Sequence, residues 1–257
     1  MFRMANAWEN LEVLFDMIGH MQSTSDGCVY MRVLAIIPAF NEEESLERTV
    51  DELRRVAPSV DFVVINDGST DRTGEICAKN GYPVVTMPVN CGLTVGFQTG
   101  MKYALRKGYD VAVQFDADGQ HRPEYLKPML CEMDENCRDI VIGSRFIDEK
   151  KGLSPRMIGS RLISLMTLIT TGKNLTDPTS GLRMFNRRMI EEFAVDSSLN
   201  PEPESIAYLM RKGASVSEVS VRMREREAGE SYLSLSKSIA YMVRACTSIL
   251  FVQWFRG

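Results

Sequence analysis

The feature that most limits the possible folds is a repeated alternation of short apolar runs and helical patterns from residue 33 onwards. Polar turn residues bound each run, and between runs the apolar residues recur every three or four positions, as on one face of a helix. This alternation predicts an α/β protein with a mostly parallel sheet and helices on both faces. The predicted strands are Val33–Ile37, Phe62–Ile65, Pro83–Thr86, Val111–Phe115 and Ile140–Ile142.

The predicted helices fill the intervals between these strands. The first is expected to be capped by Asn41, with acidic residues at 42–44 where the helix dipole favours negative charge. Leu182–Phe185 is predicted as a sixth strand, followed by a last helical stretch rich in large apolar residues. The remaining predicted helices cover residues 72–80, 92–107, 123–135 and 157–171.

Composition excludes several classes of protein. The 257 residues are 44% hydrophobic and 25% charged, which rules out a disordered or low-complexity chain. A formal net charge of −4 argues against a nucleic-acid partner, for which a basic balance is expected. Six cysteines without a C-x-x-C pair and two histidines argue against a structural zinc site and indicate reduced thiols.

Polar residues stand where the predicted strands end. Ligands of open α/β sheets bind beyond the carboxyl ends of the strands, so these residues are expected to meet at one edge of the sheet. The polar clusters are Pro38–Asn41, Asp67, Asn90–Gly92, Asp116–Gln120 and Gly143–Arg145.

Two carboxylates one residue apart form the most informative of these clusters. Asp116 and Asp118 leave a buried strand together, and carboxylate oxygens suit Mg²⁺ or Mn²⁺, which keep positions open for phosphate oxygens. An ordinary acidic turn is the alternative interpretation. An EF-hand does not fit, because His121 and Lys127 stand where that loop needs Gly and Glu. The sequence contains no glycine-rich phosphate loop, so a nucleotide is expected to be held through metal and side chains.

The ordered set of motifs resembles the family 2 glycosyltransferases of GT-A fold, a Rossmann-like α/β architecture. The later motifs look like the branch that contains dolichyl-phosphate mannose synthase and bacterial polyprenyl-phosphate glycosyltransferases. This resemblance covers roughly residues 32–235. The motifs that carry it are Ile36–Glu43, Asn66–Asp71, Asn90–Gly92, Asp116–Gln120, Gly143–Phe146 and Asp177–Arg183.

The resemblance implies a site for a nucleotide-sugar donor, with a UDP-sugar favoured. Asp116 would contact the ribose and the metal region, while Asp118 and Gln120 would ligate the divalent ion that bridges the donor diphosphate. Asp67 would accept hydrogen bonds from the base. The residues implied to line the nucleoside pocket are Pro38, Phe40, Glu42 and Asp67.

The resemblance also implies a polyprenyl phosphate acceptor, whose phosphate, with that of the donor, would be gathered by Arg145, Arg156, Ser160 and Arg226. For each arginine, an ordinary ion pair is the alternative. A phosphate monoester has a second pKa of about 6, so it is already anionic near neutral pH and can attack without a general base. The usual late Asp base of hydroxyl-acceptor relatives is not evident in the sequence, and Glu202 and Glu204 are its nearest stand-ins.

The C-terminal segment is expected to lie on a membrane. Ile239–Phe255 is mostly apolar but would span only about 26 Å as a helix, short of a ~30 Å hydrocarbon core. We therefore expect an amphipathic segment at the cytoplasmic face, helped by the helix near Met157–Ile169, with buried core or a subunit interface as the alternative. The predicted organisation is an N-terminal extension at 1–30, a catalytic domain at 31–235 and a membrane-interface segment at 236–257, with a small membrane-protein partner or a homo-oligomer.

These features together predict an inverting, metal-dependent enzyme that transfers a hexose from a nucleotide diphosphate sugar to polyprenyl phosphate. The closest alternative is a family 2 transferase that adds a sugar to a hydroxyl of a cell-surface polysaccharide. A nucleotidyltransferase and a non-catalytic sugar-nucleotide sensor are alternatives from other classes.

Overall fold

The computed structural model describes residues 31–149, 152, 154–224 and 235–252. The predicted N-terminal extension, residues 1–30, lies outside the described residues. Seven strands form one sheet: β1 (Val33–Ala39), β2 (Val60–Asn66), β3 (Val84–Thr86), β4 (Val111–Gln114), β5 (Ile140–Ser144), β6 (Arg183–Asn186) and β7 (Val216–Ser220).

Eight α-helices connect or follow these strands in the part of the chain that is described. A 3₁₀ turn, Pro123–Tyr125, precedes the fourth helix, and a π-helical turn, Ser248–Val252, follows the last. The helices are α1 (Leu46–Val56), α2 (Thr73–Lys79), α3 (Leu93–Lys107), α4 (Leu126–Glu135), α5 (Pro155–Thr171), α6 (Arg187–Val195), α7 (Pro203–Arg211) and α8 (Leu235–Thr247).

The strand order is β3-β2-β1-β4-β6-β5-β7, and every pairing is parallel except the two made by β6. The prediction of a mostly parallel sheet is therefore confirmed. Because β6 runs backwards between β4 and β5, its first residue, Arg183, pairs with Gln114 and with Ile142 near the carboxyl ends of those strands. The turn that precedes β6 is thereby placed at the ligand-binding edge.

Each face of the sheet carries its own hydrophobic core. Along β1, Ala35 and Ile37 pack into the core that includes Leu46, Val50 and Leu53 of α1. The alternate residues of β1, Leu34 and Ile36, pack into the opposite core, below α3, α6 and α7. Because side chains alternate along a strand, the continuous apolar run of β1 supplies both cores at once.

The opposite core is centred on three aromatic rings. The ring centroids of Phe97, Phe185 and Phe193 lie 5.2 to 5.4 Å apart, in tilted or edge-to-face arrangements that aromatic pairs prefer. Gly100 on α3 lets that helix approach β1, because a Cβ there would come within 2.2 Å of Ile36. Glycine at this position therefore permits the close packing of α3 on the sheet.

The first helix does not begin where the sequence predicts it. Asn41 has a φ of 55° and does not cap α1, which begins at Leu46. Its side-chain oxygen instead accepts a hydrogen bond from the backbone N–H of Thr70 at 2.9 Å, and its own N–H donates to Ser69 Oγ at 3.1 Å. Asn41 is therefore a loop-to-loop contact, a role that a cap pattern in one segment cannot reveal.

The strand β7 was not among the strands predicted from the sequence. Val216–Ser220 forms an edge strand that pairs with β5, in a region where only a helical stretch was expected after Leu182–Phe185. All five of its residues are half-buried, and three are polar, so the apolar signal of a strand is weak.

The C-terminal helix is attached through a small separate cluster. Ile163 of α5, Ala207 of α7 and Ala245 of α8 pack together with Ile249. Among the described residues, no helix is long and apolar enough to cross a bilayer.

Candidate active site

A cavity of about 370 Å³ opens at the carboxyl edge of β1, β2 and β4. Six of the residues implied by the sequence motifs line it, which confirms that the motifs converge at one place. The remaining lining comes from Ala39, Ala117, the loop before α3 and the first turns of that helix. The six residues are Pro38, Phe40, Glu42, Asp67, Asp116 and Asp118.

The loops after β1 and β2 hold each other in place. The backbone N–H of Glu42 donates to Thr73 Oγ1 at 2.9 Å, and that of Glu43 donates to Asp71 Oδ2 at 3.0 Å. Arg72 returns a hydrogen bond from its Nε to Glu43 Oε2 at 3.0 Å. The two motifs therefore form one wall of the cavity, because each supplies side-chain partners for the backbone of the other.

Asp67 organises the opposite wall. Its Oδ1 accepts the backbone N–H of Cys91 at 2.8 Å and its Oδ2 accepts that of Gly92 at 2.7 Å. Gly68 has a φ of +68° and a Cβ there would lie 2.4 Å from the carbonyl carbon of Val89, so only glycine permits this approach. A carboxylate has about four acceptor positions, so these two bonds leave room for the predicted contact with a base.

Asp116 and Asp118 are oriented by their own turn. The Oδ1 of Asp118 accepts the backbone N–H of Gln120 at 3.0 Å, and the N–H of Asp116 donates to His121 Nδ1 at 3.0 Å. Asp116 Oδ1 also accepts from Gln114 Nε2 at 3.2 Å. Both carboxylates line the cavity, and the side chain of Asp118 is only 6% exposed.

The donor set fits a divalent metal that is shared with phosphate. No group of three or more Asp, Glu, His or Cys side chains suited to a metal occurs in the described part of the chain. Asp116 and Asp118 would therefore supply two carboxylates and a bound diphosphate the other oxygens, which is how Mg²⁺ is usually held. Gln120 does not line the cavity, so its ligation of the ion stays a prediction.

Arg145, at the end of β5, is held by a buried carboxylate. Its Nε and Nη2 donate to Asp177 at 2.6 and 2.9 Å, and Asp177 is 0% exposed. The ion pair weighed as the alternative for Arg145 is therefore present, with a buried partner. Ser160 Oγ lies 3.3 Å from Thr179 Oγ1.

Two other residues implied for phosphate binding cannot be placed. The side chain of Arg156 and the whole of Arg226 lie outside the described residues. Their roles stay predictions.

The turn before β6 lies against both the acidic pair and the residues around Arg145. A Cβ on Gly181 would come within 3.0 Å of Asp116 Oδ2, so this glycine lies directly against the acidic pair. Arg183 closes the turn, because Nη2 donates to the carbonyl of Pro178 at 2.8 Å and Nη1 donates to that of Pro201. Burial lowers the pKa of the Arg183 guanidinium, which is 2% exposed.

The two candidate bases lie elsewhere. Glu202 accepts a hydrogen bond from Tyr241 of α8, and burial raises the pKa of Glu202 although that bond acts in the opposite direction. Glu204 Oε1 accepts from Asn200 Nδ2 at 3.3 Å. Neither carboxylate lines the cavity that holds the acidic pair.

Three residues near the site received no role in the sequence analysis. Asp177 stands inside a recognised motif and His121 directly follows one, so their positions were visible but their contacts were not. Glu218 has no signal, because it lies on β7, the strand that the sequence analysis missed.

Comparison with known proteins gives a consistent result. The Glycosyl transferase family 2 profile matches residues 34–193. The chain is 37% identical over 216 residues to undecaprenyl-phosphate mannosyltransferase of Micrococcus luteus, covering 79% of this chain and 88% of the relative. It is 32% identical over 216 residues to polyprenol monophosphomannose synthase of Mycolicibacterium smegmatis, covering 79% and 81%.

Solved structures with low sequence identity share the fold. Glucosyl-3-phosphoglycerate synthase of Mycobacterium tuberculosis, in complex with Mn²⁺, UDP-glucose and phosphoglyceric acid, superposes with a TM-score of 0.60 at 17% identity. The match covers 86% of this chain and 80% of that one. The predicted α/β fold of GT-A type is confirmed at this level.

The family profile covers more than half of the 257 residues, and the two curated relatives carry names from the polyprenyl-phosphate branch that the motifs resemble. Their names also support the hexosyltransferase class. The predictions of family and of enzyme are therefore confirmed: the chain belongs to glycosyl transferase family 2 and is a glycosyltransferase.

Proposed function

We propose that the protein transfers a hexose from a nucleotide diphosphate sugar to polyprenyl phosphate, with inversion at the anomeric carbon, at the cytoplasmic face of the cell membrane. The observation that carries the proposal is the convergence of both carboxylates, Asp116 and Asp118, with the nucleoside-pocket residues on one cavity. The two relatives with polyprenyl-phosphate names support the acceptor class.

The donor occupies the cavity at the carboxyl edge of β1, β2 and β4. Pro38 and Phe40 form an apolar wall for the nucleoside, and Asp67 faces its base. Asp116 and Asp118 would hold Mg²⁺ or Mn²⁺, and the ion would supply positive charge next to the donor diphosphate. A neighbour in the same fold class that holds Mn²⁺ and UDP-glucose supports a UDP-sugar, whereas the curated relatives are named for mannose.

The acceptor phosphate approaches from the side of Arg145 and Ser160. Its oxygen attacks the anomeric carbon while the bond to the diphosphate breaks, in one displacement. Two anionic groups must meet, so the guanidinium of Arg145 favours the approach by supplying positive charge and several N–H donors. The phosphate is anionic at neutral pH, so the step uses no protein base.

A groove beside this side of the site suits the prenyl chain. Its volume is about 610 Å³, and its apolar lining includes Phe146, Leu165 and Leu168. Exposed apolar residues continue along α5 beyond the groove. They are Ile158 (55% exposed), Leu162 (45%) and Ile169 (62%). An apolar helix face of this kind is suited to the membrane interface.

The membrane proposal assigns the anchor to α8 and the residues after it, together with α5. Deleting residues 237–257 is expected to release most of the protein from vesicles in a sedimentation assay. Undiminished sedimentation would contradict the assignment. Native mass spectrometry of the membrane extract tests the further proposal of a small membrane-protein partner or a second copy.

A product assay tests the proposed function. Purified protein is incubated with undecaprenyl phosphate in vesicles, Mn²⁺ and one donor at a time: UDP-glucose, UDP-N-acetylglucosamine or GDP-mannose. Mass spectrometry is expected to find a polyprenyl monophosphate hexose with one of these donors. The Asp118→Asn variant serves as the inactive control.

Other products would replace the proposal. A glycan-linked sugar without a lipid product indicates a hydroxyl acceptor, and diphosphate released from a nucleoside triphosphate indicates a nucleotidyltransferase. Donor binding without any turnover indicates a sensor.

A further inference from the structure

Arg145 is fixed in one direction by its partner. The two carboxylate oxygens of Asp177 accept hydrogen bonds from Nε and Nη2 of Arg145. This is the bidentate arrangement that a planar guanidinium forms with a carboxylate. The backbone N–H of Arg145 also donates to Asp177 Oδ2 at 3.2 Å. The side chain of Arg145 is 25% exposed, so an anion from solvent can still reach part of it.

Asp177 is itself held by the strand at the edge of the sheet. The carboxylate of Glu218 on β7 accepts the backbone N–H of Thr176 at 2.6 Å and that of Asp177 at 2.7 Å. Ser144 Oγ lies 2.6 Å from Thr176 Oγ1, which ties the same segment to the end of β5. These contacts leave the Asp177 backbone little freedom.

The turn that holds Asp177 also reaches Ser160, another of the residues implied for phosphate binding. Thr179 Oγ1 donates to Asp177 Oδ1 at 3.1 Å and lies 3.3 Å from Ser160 Oγ. Arg145 and Ser160 are 15 positions apart in sequence, but Asp177 contacts Arg145 directly and Ser160 through Thr179. Asp177 and Ser160 are buried and Thr179 is half-buried, so these contacts are largely removed from water, which strengthens polar contacts.

We infer that Asp177 is a positioning residue for the acceptor phosphate, directing Arg145 and Ser160 toward it, and that Glu218 sets the position of Asp177. This inference rests on the proposed function. A guanidinium that is already oriented loses little conformational freedom when it binds, so the pairing favours capture of the phosphate.

The test is steady-state kinetics of Asp177→Asn and Glu218→Gln with polyprenyl phosphate as the varied substrate. Asp177→Asn removes the charge but keeps the shape, and it is expected to raise the acceptor KM about tenfold with donor affinity unchanged. Glu218→Gln places an amide opposite one backbone N–H, and a smaller rise, about threefold, is expected. A tenfold rise corresponds to about 1.4 kcal/mol, close to the lower end of what one hydrogen bond to a charged group contributes.

Asp139→Asn is the matched control. Asp139 forms the same two-pronged pair with Arg188, through Nε at 2.9 Å and through Nη2, but at the opposite end of β5. This variant is expected to keep the wild-type acceptor KM.

A double-mutant cycle separates positioning from general loss of structure. Arg145→Lys keeps the charge but cannot make the two-pronged pair, so adding Asp177→Asn to it is expected to raise the acceptor KM no further. Additive effects would overturn the inference, as would an unchanged acceptor KM in Asp177→Asn with an active wild type. A parallel loss of donor affinity would assign Asp177 a structural role.

Failure of the proposed function gives a different pattern. In that case the wild type itself makes no lipid-linked product. Binding of farnesyl phosphate, measured by calorimetry, then decides the inference: equal affinity, or equal lack of binding, in wild type and Asp177→Asn would overturn it.

Discussion

The two halves of the carboxyl edge are built in different ways. In the donor half, Asp116 and Asp118 are oriented by their own turn, through Gln114, Gln120 and His121. In the acceptor half, Arg145 depends on Asp177, which depends on Glu218, and these residues come from three separate segments. The two carboxylates set by a local turn are visible in one sequence motif, whereas an arginine set by distant contacts depends on the completed sheet.

The antiparallel strand β6 explains how the halves meet. Because it enters the sheet from the ligand-binding edge, the turn before it lies between the ends of β4 and β5. Asp177 of that turn contacts Arg145, and Gly181 lies against Asp116. The account therefore predicts large effects from local changes in the donor half and graded effects from changes in the connecting turn.

The largest effect is expected from Asp118→Asn in the donor half. Asparagine keeps an oxygen for the N–H of Gln120, so the turn is expected to persist while a charged ligand is lost. Turnover with Mn²⁺ should fall about 100-fold or more. Mn²⁺ titration followed by electron paramagnetic resonance, with circular dichroism as the fold control, measures both consequences. Full activity in excess Mg²⁺ would remove Asp118 from the metal site.

The ion pair between Asp139 and Arg188, at the opposite end of β5, should affect the stability of the fold and not the rate of hexose transfer. Burial acts to raise the pKa of Asp139, but Arg188 and the N–H of Ser215 outweigh it and lower that pKa to about 2. A carboxyl whose pKa is lower in the folded state stabilises the fold above its unfolded pKa, and this contribution is lost as pH falls from about 4 through about 2.

Asp139→Asn is therefore expected to lower the free energy of unfolding at pH 7 by about 2 kcal/mol. The variant should also lose less stability than the wild type as pH falls. Urea titrations at pH 7, 4 and 3 measure this. An equal acid dependence in both proteins would contradict the assigned pKa.

A moderate effect is expected where the two halves touch. Gly181→Ala adds a Cβ within 3.0 Å of Asp116 Oδ2, so the carboxylate must shift by a few tenths of an ångström. Transfer should fall about tenfold, since small displacements at a reacting centre are costly. In the control, Gly152→Ala, the added Cβ meets no atom of the described residues within 4 Å, and kcat should not change. Equal rates in both variants would show that the turn does not constrain Asp116.

The sequence predicted much of the fold because its strands are buried on both faces and therefore read as continuous apolar runs. The strand β7 was not predicted, because three of its five residues are polar and all five are half-buried. The start of α1 was misplaced, because Asn41 bonds to Thr70 in another loop. The residues of the donor cavity could be predicted from motifs at strand ends. The partners of Arg145 could not be predicted, because no local pattern links residue 145 to residues 177 and 218.

Anomalous diffraction from a crystal soaked with Mn²⁺ and UDP-glucose tests the central claim most directly. The account predicts one manganese peak about 2 Å from carboxylate oxygens of Asp116 and Asp118, with diphosphate oxygens completing its coordination. A peak elsewhere, or carboxylates that face away from the ion, would contradict it.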